Sequence, residues 1–187
     1  RDRFLHAIDL IKAHTHVVHL DSATDFRCEL LERSGTYHVV EGDEARRVLE
    51  RHLQRLAPAR IEYGQMLMIN QRAVATVAGA DDVVWFRFVD LCDAPLWARD
   101  YLEIAQRFHT VLLSDIPRMD ESRDDAAKRF MHLIDAFYDH QVKLMATAQD
   151  SPENLYVGRY LQFAFGRTVS RLLEMGGHRY LAKPHRP

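Results

Sequence analysis

Two polar residues, Asp115 and Gln149, end two apolar runs that are separated by a helix-like stretch. The first run begins at Phe108 and the second at Val142. Strand, amphipathic crossover helix and strand in this order predict a βαβ unit with buried, parallel strands. The working groups of open α/β sheets lie just past the carboxyl ends of such strands. Asp115 and Gln149 therefore occupy the positions at which a nucleotide-hydrolysing fold holds its metal-binding acid and its polar sensor.

Arg171 adds a third polar group, on a helix that follows the second strand. Metal-binding strand, sensor strand and arginine-bearing helix follow the order found in a P-loop ATPase. None of the eight glycines, however, lies in a Gly-x-x-x-x-Gly-Lys-Ser/Thr phosphate loop. Ile116 stands where a water-positioning glutamate would follow Asp115. The second half of the chain therefore has its elements in the order of a P-loop ATPase but lacks the loop that would bind the phosphates.

Other chemistries have less support in the sequence. His14, His16 and His19 form the densest histidine group, but no nearby cysteine or ordered carboxylate completes a four-ligand set, so we expect no metal site. Cys28 and Cys92 are too few and too distant for a disulfide framework, which fits a reducing compartment. There is no Gly-x-Ser-x-Gly motif for acyl transfer.

Composition bounds the class of protein. The 187 residues include 25 Lys and Arg against 27 Asp and Glu, a formal net charge of −2 without a basic block. This balance disfavours nucleic acid as a partner, and the strand-sized apolar runs leave at most a peripheral membrane contact. The chain begins with Arg1, and residues 1–13 already read as a helix that needs a partner surface. We therefore expect a fragment of a larger protein.

The remaining elements are predicted from periodicity. A strand is expected from Thr15 to Leu20, and a helix from Asp43 to Leu56. The runs 64–69, 73–77 and 83–89 alternate with turn residues and predict a β-meander packed beside the α/β core rather than within its parallel sheet. A crossover helix buries Phe130, Ile134 and Phe137, a last helix ends at Gly176, and the tail from residue 178 is expected to be frayed or docked on a partner.

Four segments carry a resemblance to a known family: 1–8 (RDRFLHAI), 24–27 (TDFR), 108–117 (FHTVLLSDIP) and 167–175 (RTVSRLLEM). Together they resemble the C-terminal half of the ZapE/AFG-like ATPase family, and the likeness is weakest from residue 33 to residue 80. The resemblance implies an AAA-type P-loop ATPase whose phosphate loop and metal strand precede Arg1. It also implies ATP and Mg²⁺ as cofactors of the complete protein, none for the fragment alone, and a homo-oligomer that acts on a protein client.

Two further implications follow from the family. Its members include a bacterial cell-division ATPase that acts on the division-ring protein and mitochondrial relatives linked to protein turnover. The expected location is therefore cytoplasmic in a bacterium and mitochondrial in a eukaryote. The expected units are the end of the ATPase core with lid-like helices (1–60), the meander (61–90) and a C-terminal α/β unit (91–187).

The resemblance also assigns roles to arginines. The segment around Arg3 resembles the one that follows the family's sensor strand, so Arg3 is the candidate arginine finger. Ser170 to Leu173 repeats part of that segment, which makes 91–187 resemble a degenerate copy of the catalytic half. In that case the second half would keep Asp115, Gln149 and Arg171 as remnants of a catalytic site that serve only the structure. The alternative is that Arg171 is active. Arg27 resembles a sensor arginine, and a surface ion pair is its alternative.

Two functions of different classes remain open from the sequence. One is the C-terminal portion of a ZapE/AFG-like ATPase that acts on a protein client. The other is a non-catalytic adaptor that binds a client or a neighbouring subunit without nucleotide.

Overall fold

The computed structural model of this protein describes Leu31 and residues 35–57 and 60–187. Eight strands and five α-helices lie in this part of the chain, together with three short helical turns of other types. The strands are β1 Tyr37–Val39, β2 Glu62–Tyr63, β3 Met66–Ile69, β4 Arg72–Ala75, β5 Ala78–Ala80, β6 Val83–Arg87, β7 Thr110–Ile116 and β8 Lys143–Ala148. The helices are α1 Gly42–Leu56, α2 Ala98–Arg107, α3 Asp124–Asp139, α4 Gln162–Met175 and α5 His178–Leu181.

Six of the strands form one mixed sheet in the order β1-β8-β7-β6-β5-β2. The neighbours β1, β8, β7 and β6 are parallel, and β5 and β2 are antiparallel additions at one side. The predicted βαβ unit is confirmed, because α3 connects β7 to β8 and these strands are adjacent and parallel. The predicted strand at Thr15–Leu20 and the helix at 1–13 lie outside the described residues.

Helices cover both faces of the sheet. On one face α3 buries Phe130, Ile134 and Phe137 against Val111 and Leu113 of β7 in the larger core. On the other face Leu49 and Leu53 of α1 pack against Trp85, Leu112 and Met145. Leu112 points to this face because it alternates along β7 with Val111 and Leu113. This alternation along strands that are buried on both faces is what a parallel α/β sheet requires. The predicted α/β fold class and the helices 43–56 and α3 are confirmed.

The predicted position of the meander is wrong for its last run. β6 pairs in parallel with β7, from Val83 opposite Thr110 to Arg87 opposite Ser114, and β5 joins the same sheet through β6. The side chains of residues 83–86 are all buried, so both faces of this run are packed against other elements. A strand inside a parallel sheet is buried on both faces, whereas a hairpin on the surface is not. β3 and β4 form a separate two-stranded sheet, and the division of the chain into three units stays a prediction.

The expectation for the tail is also wrong. Tyr180 and Leu181 of α5 are buried, and the Tyr180 hydroxyl donates to the carbonyl of Phe137 at 3.0 Å. The ammonium group of the buried Lys143 donates to the carbonyls of Tyr180 (3.2 Å) and Lys183 (2.6 Å). The tail is therefore docked on the chain's own core. No helix within the described ranges is long and apolar enough to cross a membrane.

Candidate functional site

The carboxyl ends of β6, β7 and β8 meet at one edge of the sheet because the three strands are parallel neighbours. Arg87 ends β6, Ser114 and Asp115 lie at the end of β7, and Gln149 follows β8. Residues at such an edge are the ones that α/β proteins use for binding and chemistry. This edge is the candidate site.

A β-bulge sets the position of Asp115. Leu113 pairs with Ala146, but Ile116 pairs with Ala148, so β7 contains one residue more than β8 between these pairs. Asp115 takes up the extra length with φ of 63°, a left-handed conformation that aspartate tolerates better than most residues. Its backbone N–H donates to the Thr147 hydroxyl at 3.2 Å. The bulge turns the carboxylate out of the ladder to an exposed position.

Asp115 lines a polar pocket of about 400 Å³ between the strand ends and the start of α1. Arg46 of α1 and Arg87 of β6 supply its positive charges, and Asp43, Asp90 and Asp115 supply its negative charges. Arg87 donates to both oxygens of Asp90, at 2.8 Å and 3.0 Å. This hydrogen bonding and the charge of Asp90, with a smaller effect of Asp115, raise the pKa of Arg87 above its ordinary value. The pocket is therefore lined by two guanidinium groups and three carboxylates, and one guanidinium group is already paired with one carboxylate.

Gln149 performs a structural task next to this pocket. Its backbone N–H donates to the carbonyl of Ile116 at 2.9 Å, and its side-chain oxygen accepts from the N–H of Arg118 at 2.7 Å. Both bonds tie the segment after β8 to the end of β7. Gln149 is not among the residues that line the pocket.

Arg171 is engaged with the outer side of α3. Its guanidinium pairs with Asp135 and, at 3.7 Å, with Asp139, and it lies over the ring of Tyr138 at 4.7 Å from the centroid. Arg167 pairs with the same Asp135 at 2.7 Å. No hydrogen bond or ion pair in the described part of the chain joins any two of Asp115, Gln149 and Arg171. Their interpretation as a degenerate site stays a prediction.

The other predicted site residues lie outside the described residues. These are Arg3, the candidate arginine finger, and Arg27, the candidate sensor; His14, His16, His19 and Cys28 lie outside them as well. Within the described ranges, no three His, Cys, Asp or Glu side chains come together as a metal site would require. Burial raises the pKa of the Cys92 thiol well above its ordinary value, which keeps it protonated and a poor nucleophile.

Sequence reasoning missed Arg87 and Asp90. Both lie in or just after the run 83–89, which we expected in a meander away from the parallel sheet. The available signal was the continuous apolar run Val83 to Phe86 followed at once by an arginine, a pattern typical of a parallel strand with a polar carboxyl end.

The strand-end pocket does not fit the phosphates of a nucleotide. Such a site requires a glycine-rich loop, backbone N–H groups at a helix start and a lysine. The connection from β7 to α3 contains no glycine and no lysine, and no lysine lines the pocket. With three carboxylates against two guanidinium groups, the pocket is also not an anion site by charge.

The fold and the strand-end edge define a mixed α/β protein with polar residues at the carboxyl ends of its parallel strands, and comparison with known proteins names the family. The family model described as AFG1-like ATPase matches residues 1–184. The chain therefore belongs to the AFG1-like ATPase family, and the family that the resemblance suggested is confirmed.

Individual relatives give the same result. The chain is 35% identical over 185 residues to the cell division protein ZapE of Escherichia coli K12, covering 99% of the chain and 49% of that protein. It is 28% identical over 216 residues to lactation elevated protein 1 homolog B of Danio rerio, covering 96% of the chain and 43% of that protein. The chain thus spans about half the length of these curated relatives, or less. No solved structure matches the chain.

Proposed function

We propose that this chain is the C-terminal portion of an ATPase that couples ATP hydrolysis to action on a protein client. The observation that carries the proposal is the family match over residues 1–184. ATP and Mg²⁺ are the cofactors of the complete protein in this proposal, held by a phosphate loop outside the chain. The similarity to a cell division protein favours a client of the division-ring type.

The proposal includes an assembly and a location. The complete protein is a homo-oligomer in which Arg3 serves as the arginine finger and Arg27 as a sensor. It works in the cytoplasm of a bacterium or in the mitochondrion of a eukaryote, with at most a peripheral membrane contact and without nucleic acid.

The first test uses the isolated chain. We expect calorimetric titration with Mg-ATP to show no binding in the micromolar range and no hydrolysis, because no lysine lines the strand-end pocket and the chain contains no Gly-x-x-x-x-Gly-Lys-Ser/Thr loop to hold phosphates. The complete protein, titrated in parallel, should bind and hydrolyse ATP. Micromolar binding by the isolated chain would contradict the proposal and make Asp115 a metal-ligand candidate. An inactive complete protein would contradict the ATPase assignment itself.

A non-catalytic adaptor is the second candidate function. The structural bonds of Gln149 to the N–H of Arg118 and of Arg171 to Asp135 agree with it, and they agree equally with an ATPase whose catalytic groups are other residues. Under this alternative the complete protein would bind its client equally well with and without Mg-ATP. Pull-down of a client in the two conditions separates the candidates.

A further inference from the structure

Three arginines form a row along the exposed side of α1. Arg47, Arg51 and Arg55 recur at intervals of four residues, and all three are exposed. Residues four apart lie one above the other on a helix, separated by about 6 Å of rise. We call these three residues the arginine row.

The row has no acidic partner in the described part of the chain. None of its guanidinium groups forms a salt bridge there, and the Nε of Arg51 donates instead to the backbone carbonyl of Arg47 at 3.3 Å. The helix carries acidic residues near Arg47, but Arg51 and Arg55 have none three or four positions away. Like charges four residues apart destabilise a helix. The row therefore lowers the stability of α1, and the packing of α1 on the core does not require it.

Packing and helix electrostatics explain only part of the row. The apolar side of α1 is already complete, with Ala45, Leu49 and Leu53 fully buried. Arg55 lies in the last turn, where a positive charge complements the helix dipole. Arg51 and Arg47 are further from that end and gain little from it.

A broad groove of about 940 Å³ runs beside the row. Arg46, Arg47 and Arg51 line one side of it, and Tyr63, whose ring is half exposed, lines another. Two glutamates also line the groove, and the carboxylate of one of them, Glu50, accepts a 2.5 Å hydrogen bond from the Tyr63 hydroxyl. The groove is thus lined by three arginines and two glutamates, and one of the glutamates accepts the hydrogen bond of Tyr63.

We infer that the arginine row, with this groove, binds an acidic segment of a protein partner. Guanidinium groups bind carboxylates through paired hydrogen bonds, and carboxylates on alternate residues of an extended segment recur at roughly 6.6 Å, close to the spacing of the row. The inference rests on the proposed function in one respect, because it takes the partner to be a protein. Its test needs no nucleotide, so this inference and the ATPase proposal can fail separately.

A membrane surface and a nucleic acid fit this site less well. An interfacial helix needs its apolar side free to enter lipid, and that side of α1 is buried in the core. A polyphosphate would meet the two glutamates of the groove and a single aromatic ring, while nucleic-acid sites combine a positive groove with several stacking platforms.

The test measures binding of a fluorescent peptide of alternating Glu and Ser to the full chain, by anisotropy at low ionic strength. Replacing Arg47, Arg51 and Arg55 together by Gln should weaken binding about tenfold, the combined effect expected for three exposed ion pairs. The matched control replaces Arg118, Arg179 and Arg186 by Gln; these arginines are exposed on other parts of the chain, and the control variant should stay within about twofold of the parent.

A charge swap makes the test independent of any loss of folding. The variant with Glu at positions 47, 51 and 55 should bind the corresponding Lys and Ser peptide more tightly than the Glu and Ser peptide. Absence of peptide binding by the parent, equal loss in the control variant, or no reversal in the swap would each overturn the inference. Tighter, row-dependent binding of a poly-dT oligonucleotide or of phosphatidylserine vesicles would overturn it in favour of that partner.

Discussion

Asp115 lies at the carboxyl end of β7, at the edge of the sheet where the candidate site is found. Its type and its place at a strand end predicted the position of a metal-binding acid or of its structural remnant, and the structure places the carboxylate in a pocket that Arg87 also lines. The bulge that exposes it, with φ of 63°, could be read as stored strain for function or as the local geometry of a surface pocket. A substitution that keeps the shape and removes the charge tests whether the carboxylate itself is used.

We expect Asp115→Asn in the complete protein to keep ATP turnover within a few-fold of the parent. No lysine lines the pocket and its carboxylates outnumber its guanidinium groups, so we expect no phosphate contact there, and asparagine tolerates the same left-handed backbone. Asp115→Gly is the control, because it removes the side chain at a backbone position that suits glycine. A loss of two orders of magnitude in both variants, at an unchanged melting temperature, would show that the second βαβ unit takes part in catalysis.

His52 provides a test through pH. Burial, and then the neighbouring His38, Arg55 and Arg51, lower the pKa of His52 to about 4. The rings of His52 and His38 lie 5.5 Å apart, and one nitrogen of each is buried without a hydrogen-bond partner within the described residues. The folded chain therefore resists protonation of a histidine that titrates near pH 6.5 once unfolded.

The pKa of His52 is lower in the folded chain than in the unfolded chain. The stability that depends on a neutral His52 is therefore fully present above about pH 6.5 and is lost as the pH falls towards about 4. We expect the free energy of unfolding in urea to fall by on the order of 2 kcal/mol over this range on account of His52. His52→Leu should reduce the fall by about that amount. An identical pH dependence in parent and variant would mean that His52 does not govern it.

At the scale of elements, α3 is the centre of the fold. It connects the two central strands, packs on α2 and α4, and presents Asp135 to Arg167 and Arg171 on its outer side. Phe130 lies at its centre, fully buried between Phe88 and Phe165, with ring centroids at 5.8 Å and 6.2 Å.

We expect Phe130→Ala to lower the free energy of unfolding by about 3–5 kcal/mol, because it removes an aromatic ring from a closed core and leaves a cavity. Phe163→Ala on α4 is the matched control: its side chain is 100% exposed, and its loss should change stability by less than about 0.5 kcal/mol. Equal effects of the two substitutions in urea titrations would contradict this assignment of the core.

At the scale of the whole molecule, the central hypothesis concerns Arg3 and the neighbouring subunit. We expect Arg3→Ala and Arg3→Lys in the complete protein to abolish most turnover with little change in ATP affinity. A planar guanidinium on the transferring phosphoryl group can contribute on the order of 10³–10⁵ in rate, and lysine does not reproduce its geometry.

Mixing tests whether this arginine acts between subunits. An Arg3 variant combined with a phosphate-loop variant should recover part of the activity, since one supplies the pocket and the other the arginine. Parent-level turnover in Arg3→Ala would move the role to another arginine, with Arg1 and Arg171 the next candidates. No recovery on mixing, although both variants assemble, would show that the arginine acts within its own subunit.

The features that could be predicted from the sequence are local or follow an order along the chain. The apolar faces of α1 and α3 follow from a helical period that depends only on neighbouring residues, and the βαβ unit follows from two apolar runs with a crossover between them. The family follows from motifs in a fixed order, which the match over residues 1–184 confirms.

The pairing of these elements with one another is visible only in the folded chain. β6 became an inner strand of the sheet beside β7, Arg171 paired with Asp135, and the tail docked through Tyr180 and Lys143. Each contact joins residues that are distant in sequence, and a strand or a charged side chain carries no local mark of which distant edge or carboxylate it will meet. Such pairings are selected by burial and hydrogen bonding over the whole fold, and only the assembled structure contains that information.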